Sequence, residues 1–185
     1  RPRGGGAAPS IRAPASAVNS HNTQQEKTIR MKYTTAAEAV RLIQSHSSVY
    51  IQGSTSIPET LVRAMADRAG ELTDVKVYSA FAVGAFDAPY CKPENRESFL
   101  VNSLFVANNI RRWLAEGYGQ SIPAFLGEIP AMFRDGTLPV DVALLNLSQP
   151  NEEGYCSFGV SADLAVSAAE CAHTLIGQIN KAMPF

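Results

Sequence analysis

Two polar stretches carry the side chains that could do chemistry. The first, residues 52–59, reads QGSTSIPE. A glycine turn leads through three hydroxyls, Ser54, Thr55 and Ser56, into a helix start marked by Pro58 and Glu59. Open N–H groups at a helix start, with hydroxyls beside them, can hold an anion such as a carboxylate or a phosphate. The stretch lacks the lysine of a phosphate-binding P-loop and the glycine spacing of a dinucleotide fingerprint. Taken alone, plain capping is the simpler account of Ser56. The second stretch, residues 141–163, reads DVALLNLSQPNEEGYCSFGVSAD. It opens as an apolar run, Val142 to Leu147, then turns polar through Ser148, Pro150, Asn151 and Gly154, and reaches a helix start near Ser161. Ligand crevices in open parallel sheets lie outside the carboxyl ends of the strands. A long loop leaving a buried strand is therefore the first place to look for function, with an ordinary surface connection as the plain alternative.

The other reactive residue types have weaker settings. Glu152 and Glu153 are adjacent on a polar loop, so their side chains diverge and read as solvated rather than as a catalytic pair. His46 and His173 have no acid or nucleophile near them in sequence and read as structural. Tyr155 and Phe158 read as anchors tying their loop to the domain. Cys91, Cys156 and Cys171 are odd in number and lie at no metal or redox spacing, which fits free thiols in a reducing compartment. Cys171 falls on an apolar helical face, and nothing near Cys156 in sequence would lower its pKa.

The elements that must position these residues alternate between helix and strand. Thr35 and Glu38 fit a capping box ahead of a helix reaching about Ser45. Residues 48–52 predict a strand, and Ser56 and Glu59 a second capped helix whose inward side is Leu61, Val62, Met65, Ala66 and Ala69, ending at Gly70. Val75 to Tyr78 predicts the next strand, residues 104–106 a third, and Asn108 or Asn109 a helix carrying Ile110, Trp113 and Leu114. Ile122 marks a short strand, and residues 127–134 a short helix. The run from Val142 is buried on both faces, Ser161 caps a helix to Cys171, and Thr174 to Ile179 closes the series. Alternation of this kind implies right-handed crossovers and a mainly parallel sheet with helices on both faces.

Composition bounds the function. The chain has 185 residues, 45% hydrophobic and 18% charged, which suits one globular domain with a real core. A net charge of -1 points to neither nucleic acid nor an anionic membrane as partner. No apolar run approaches the ~20 residues of a membrane span. Residues 1–30 differ: they are rich in Gly, Ala, Pro and Ser, with Glu26 as the only acid. They read as a disordered leader ahead of a domain at 31–185, with an organellar transit peptide as the alternative.

The 141–163 stretch resembles the signature D-V-A-L-(x)3-S-P-P-D-x-x-G-Y-C-S-(x)-G-(x)-S-x-D of the acetyl-CoA hydrolase/transferase family, whose members include 4-hydroxybutyrate and succinyl-CoA:acetate CoA-transferases. VYIQGSTSIPETLVRAM, LFVANNIRRWLAEG, IPAFLGEIPAMFRDGTLP and the terminal INKAMPF agree with it, in order, across residues 33–185. The chain departs in having Gln149-Pro150-Asn151 where Pro-Pro-Asp is usual, which puts a loop contact of that acid in doubt.

The resemblance implies an α/β CoA-transferase (NagB/RpiA-like) fold, with this chain the first of two similar domains. It implies an acyl-CoA:carboxylate CoA-transferase acting through a glutamyl-CoA thioester, with acetyl-CoA hydrolase, or a non-catalytic domain binding CoA or a phosphosugar, as alternatives. The nucleophilic glutamate is expected beyond Phe185, in a second domain, so Glu128 and the other glutamates here take no catalytic role. Gln52, Gly53, Ser54 and Thr55 are expected to form part of an acyl or carboxylate pocket, with Gly154, Tyr155 and Ser157 lining the same cleft. Coenzyme A enters as substrate, with no resident cofactor or metal expected. A homodimer is expected at full length, in the cytoplasm or, if residues 1–30 are a transit peptide, in the mitochondrial matrix.

Overall fold

A computed structural model of the chain describes residues 10–11, 32–83 and 86–185. Six parallel strands form the central sheet: β2 (Ser48–Ile51), β3 (Val75–Ser79), β4 (Phe99–Ser103), β5 (Gln120–Ser121), β6 (Val142–Leu147) and β8 (Thr174–Ile179). Their spatial order is β5-β4-β3-β2-β6-β8. A second, two-stranded ribbon pairs β1 (Ser10–Ile11) antiparallel with β7 (Cys156–Ser157). The remainder of the expected leader lies outside the described residues.

Side chains alternate between two cores because strand residues alternate between sheet faces. On β6, Val142 and Leu144 join a core with Leu61, Val62 and Met65 of α2 (Glu59–Ala66) and Ile110 of α3 (Asn108–Ala115). Ala143 and Leu145 point the other way, to Phe133 of α4 (Ile129–Arg134) and to Leu164, Ala165 and Ala168 of α5 (Asp163–Cys171). Val142 through Leu145 are all buried, which is why that stretch of sequence shows no polar alternation. The α/β class, the parallel sheet and its two helical layers agree with the sequence reading.

Several local expectations need correction. The third strand is Phe99–Ser103, earlier than residues 104–106, and β5 is Gln120–Ser121, ahead of Ile122. Polar side chains disguise both: buried Asn102 of β4 accepts at Oδ1 from Nε2 of exposed Gln120 on the edge strand, at 2.6 Å. The first helix, α1 (Ala36–Ala39), tightens into a 3-10 turn at Val40–Leu42 instead of reaching Ser45, although Thr35 caps it by accepting from the Glu38 N–H at 3.2 Å. Neither Ser56 nor Ser161 caps a helix. The N-cap positions of α2 and α5 are Pro58 and Ala162, with no side-chain cap, and α2 ends at Ala66, short of Gly70.

Candidate functional site

Sheet order locates the crevice. From β2 the chain builds outward through β3, β4 and β5, then returns to the other side of β2 with β6 and β8. The direction reverses between β2 and β6, and ligands in doubly wound sheets bind outside the carboxyl ends of the strands at such a switch point. The two stretches singled out in the sequence, residues 52–59 and 148–161, leave the sheet at this point, from β2 and β6 respectively.

Gln52 joins them. Its backbone N–H donates to Leu144 O at 3.0 Å, the last rung between β2 and β6. Its side chain continues the ladder after the backbone has turned away: Oε1 accepts from the Asn146 N–H at 2.8 Å, and Nε2 donates to Ser161 O at 2.7 Å. Gln52 is fully buried, so each of these bonds satisfies a group that water cannot reach. Thr55 Oγ1 and Ser161 Oγ lie 3.2 Å apart and add a second tie.

The turn after Gln52 is tightly held. Ser54 takes the left-handed backbone conformation, φ 59°, which costs a residue with a Cβ. Its N–H donates to Phe81 O at 2.7 Å, and its carbonyl accepts from the Val83 N–H at 3.1 Å, resuming the parallel pairing to the segment after β3. Gly53 sits where a Cβ would lie 2.9 Å from Phe81 O. Its glycine requirement is therefore close approach to its own chain, while the positive φ falls on Ser54. The N–H groups that could have cradled an anion are largely engaged: Ser56 donates to Gly53 O, Glu59 to Ile57 O, and Thr60 to Gln178 Oε1 at 3.0 Å. Half-buried Ser54 keeps a hydroxyl with no hydrogen-bond partner among the described residues, and beside it exposed Thr55 shares its hydroxyl with Ser161.

The 148–161 loop closes on itself. Ser148 and Ser157 exchange bonds: the Ser148 N–H donates to Ser157 O at 3.0 Å, and the Ser157 N–H to Ser148 Oγ at 2.8 Å. Ser157 Oγ accepts from the Gly159 N–H at 2.9 Å, so Ser157 organises the loop base. Asn151 Oδ1 accepts from the N–H groups of Glu153 and Tyr155 at 3.1 and 2.8 Å. The amide thus makes the acceptor contacts an aspartate would make there, with the charge removed. Gly154, with φ 82°, is the exposed tip of the turn. Among the described residues, no hydrogen bond links Gly154 or Tyr155 to the Gln52–Thr55 turn, so of the seven predicted site residues the structure ties Gln52, Gly53, Ser54 and Thr55 into one unit and Ser157 into its neighbour. Phe158 is an anchor, 1% exposed, and Tyr155 is half-buried.

The titratable groups lie as follows around the crevice and beyond it. Glu128 is exposed and its carboxylate accepts from the Phe125 N–H at 3.0 Å, and Glu152 and Glu153 are exposed at the loop tip. Burial pushes the Cys91 thiol up to about 11 and raises Cys156 as well, which disfavours thiolate chemistry at either. Cys171 is half-buried, less enclosed than its helical face suggested. Both histidines have carboxylates beside them that sequence distance hid. His173 Nδ1 lies 3.2 Å from Asp141 Oδ1, and His46 Nδ1 lies 3.7 Å from Asp74 Oδ2, both away from the switch point at the starts of strands. Among the described residues no cluster of His, Cys, Asp or Glu has a metal-holding arrangement, and no helix is long and apolar enough to cross a membrane.

Sequence reasoning passed over the segments after β3 and β4. Phe81 and Phe105 meet edge to face, with ring centroids 5.5 Å apart, beside the Gly53 turn. Exposed apolar side chains rim this end of the sheet at Val83, Phe105, Phe125, Leu126 and Val160.

Strand order and the two helical layers define a doubly wound α/β domain with its switch point, and so its candidate site, between β2 and β6. Residues 17–185 match the N-terminal domain of the acetyl-CoA hydrolase/transferase family, and the chain belongs to that family. It is 36% identical over 159 residues to 4-hydroxybutyrate coenzyme A transferase of Clostridium kluyveri, covering 86% of this chain and 37% of that protein. It is 30% identical over 149 residues to a succinyl-CoA:acetate/propanoyl-CoA:succinate CoA transferase of Fasciola hepatica, covering 80% and 30% respectively. Among solved structures, 4-hydroxybutyrate CoA-transferase of Porphyromonas gingivalis superposes with a TM-score of 0.66 at 33% identity, over 82% of this chain and 34% of that one. RipA of Yersinia pestis superposes with a TM-score of 0.71 at 26% identity, over 82% and 37%. The chain thus spans about a third of the length of these relatives.

Proposed function

We propose that this chain supplies the N-terminal half of an acyl-CoA:carboxylate CoA-transferase that assembles as a homodimer and works through a glutamyl-CoA thioester. One observation carries the reading. The two stretches with the strongest family resemblance, far apart in sequence, are locked together by Gln52 at the switch point where such folds bind ligands. The CoA-transferase names of the relatives support it.

In this reaction a glutamate carboxylate from the other half attacks the thioester carbonyl and expels CoA thiolate, forming an acyl-glutamyl anhydride. The thiolate then attacks the glutamyl carbonyl and releases the first carboxylate, leaving a glutamyl-CoA thioester. The acceptor carboxylate reverses both steps, so no oxidant or reductant is needed. This chain's part is to present Ser54 and Thr55 hydroxyls to the carboxylate on a turn whose geometry is fixed by Phe81 and Gln52. The exposed, already hydrogen-bonded Glu128 fits no nucleophilic role. Coenzyme A acts as substrate rather than as a resident cofactor. Three unpaired cysteines suit a reducing compartment such as the cytoplasm.

Full-length protein incubated with acyl-CoA and treated with borohydride should show one reduced glutamate by mass spectrometry, outside residues 1–185. It should also move CoA from acyl-CoA to acetate. Thioester loss that ignores the acceptor would identify a hydrolase. Binding of CoA with neither reaction would identify a non-catalytic domain.

A further inference from the structure

Ser79 ends β3, is 4% exposed, and its hydroxyl has no hydrogen-bond partner among the described residues. Asn109, in the first turn of α3, has an amide oxygen that is likewise buried and unpartnered. Both residues line one small cavity of about 10 Å³, and Tyr90 of the 3-10 turn Pro89–Cys91 completes its polar wall. Burial raises the pKa of the Tyr90 phenol, and the Ser79 hydroxyl opposes that rise, yet Ser79 Oγ makes no direct hydrogen bond. Gln52, Gly53, Phe81 and Ala82 form the opposite wall, so the cavity lies directly behind the turn that holds Ser54. Asn109 also borders a wider groove of about 390 Å³ between the exits of β3 and β4, whereas Ser79 does not. The small cavity matches the ~10–15 Å³ that admits a single water molecule, and a buried polar group without a partner is costly.

We propose that this cavity is the site of one buried water molecule bridging Ser79, Asn109 and Tyr90, and that through it Ser79 is a positioning residue for the Ser54 turn. The water donates to Asn109 Oδ1 and shares hydrogen bonds with the hydroxyls of Ser79 and Tyr90, within the ~2–4 partners a buried water makes. It ties the end of β3 to the segment before β4 and to the start of α3. Phe81 and Ala82 follow shortly after Ser79 and hold the turn: Phe81 O accepts from the Ser54 N–H, and Ala82 pairs with Ser54. Loosening the end of β3 therefore lets the Ser54 hydroxyl drift. The consequence for activity rests on the CoA-transferase reading, and the water site itself does not.

The test joins high-resolution diffraction from crystals of the full-length protein to kinetics and hydrogen exchange. The wild type should show one water within hydrogen-bond distance of both Ser79 Oγ and Asn109 Oδ1. Asn109→Leu offers no acceptor and should remove that water, while Asn109→Asp keeps the acceptor oxygen and should retain it. Ser79→Ala cuts β3 from the water without touching the wider groove. It should raise KM for the carboxylate by about two- to tenfold, the scale of one neutral hydrogen bond, and leave KM for acyl-CoA unchanged. It should also speed hydrogen exchange at the Ser54 amide. A direct bond from Ser79 Oγ to Tyr90, or to Ser103 opposite it in β4, with no water between them, would overturn the water site. A water in place, with equal or absent KM changes and an unchanged Ser54 amide in Ser79→Ala, would overturn the positioning role. A wild type that shows the water and transfers no CoA would sink the transferase reading, and the Ser54 amide would then decide the positioning role alone.

Discussion

The side-chain amide of Gln52 donates to the carbonyl of Ser161 at 2.7 Å, across 109 positions of sequence. Its oxygen meanwhile holds the Asn146 N–H. Substituting leucine keeps the volume and removes both bonds, leaving a buried N–H and a buried carbonyl unpaired. Gln52→Leu should therefore cost about 2–6 kcal/mol, from roughly 1–3 kcal/mol for each of the two orphaned groups. Chemical denaturation reads the loss. Hydrogen exchange should locate it, with the Asn146 amide becoming fast before the rest of β6. A Gln52→Leu protein with wild-type stability would mean that the clamp does not hold the crevice.

Gly53 and Ser54 make opposite demands, and substitutions separate them. A Cβ on Gly53 meets the Phe81 carbonyl at 2.9 Å, so Gly53→Ala must push Phe81 away and weaken the bond from the Ser54 N–H. Ser54 bears the left-handed conformation, so Ser54→Gly should raise stability by up to about 1 kcal/mol by relieving it. Ser54→Ala keeps the strain and should not. In the full-length enzyme both Ser54 variants lose the hydroxyl, and both should raise KM for the carboxylate more than KM for acyl-CoA. Equal KM changes for the two substrates would remove Ser54 from the carboxylate site.

How much of this was legible in the sequence follows from range. The Val142–Leu145 run is continuous because both its faces are buried, and that pattern is local. The alternation of helices and strands is local too, so the fold class could be read. The third strand was misplaced because Asn102 and Ser103 look unlike sheet interior, and the amide that satisfies Asn102 belongs to Gln120 in another strand. Ser56 and Ser161 have the right residue type and spacing for caps, yet Ser161 is drawn instead to Thr55 and Gln52, partners about a hundred residues away. The groove between the β3 and β4 exits could not be read, because strand order, not sequence spacing, brings Phe81 beside Phe105. Residues 52–55 were legible because a glycine turn between a strand and a helix announces itself.

Asp141 gives the domain an acid-sensitive tie at the opposite end of the sheet. Oδ2 accepts from both the N–H and the hydroxyl of Ser48 at 2.8 Å, and Oδ1 faces His173. Burial pushes this carboxyl up, but the Ser48 bonds and His173 together outweigh it and hold the group below the usual carboxylate range. A folded-state pKa depressed below the unfolded value of about 3.9 contributes stability that is complete above that value and is lost as pH falls through the folded pKa. The stability difference between wild type and Asp141→Asn should therefore be largest above about pH 5 and shrink as the solution is acidified below about pH 4. Parallel curves for the two proteins down to pH 2 would show that the carboxylate contributes nothing through its charge.

The apolar rim at the carboxyl end of the sheet makes the isolated domain prone to associate. Phe125 is 80% exposed and Leu126 is 59% exposed, side by side on the loop after β5, with Phe105, Val83 and Val160 on neighbouring loops. Large apolar side chains gathered in the open at one end of a sheet normally mark a contact with other protein, and in the proposed enzyme the other half of the chain is the partner. Residues 32–185 expressed alone should sediment as a concentration-dependent mixture. Phe125→Ser with Leu126→Ser should shift that mixture toward monomer, with little change in melting temperature because neither side chain is in a core. The same fragment should show no CoA exchange and no borohydride-reducible adduct, since its exposed glutamates are poorly placed to attack a thioester. A monomeric fragment at high concentration would mean that the rim is not an association surface. An adduct on Glu128 or Glu153 would place the nucleophile in this half and overturn the proposed division of labour.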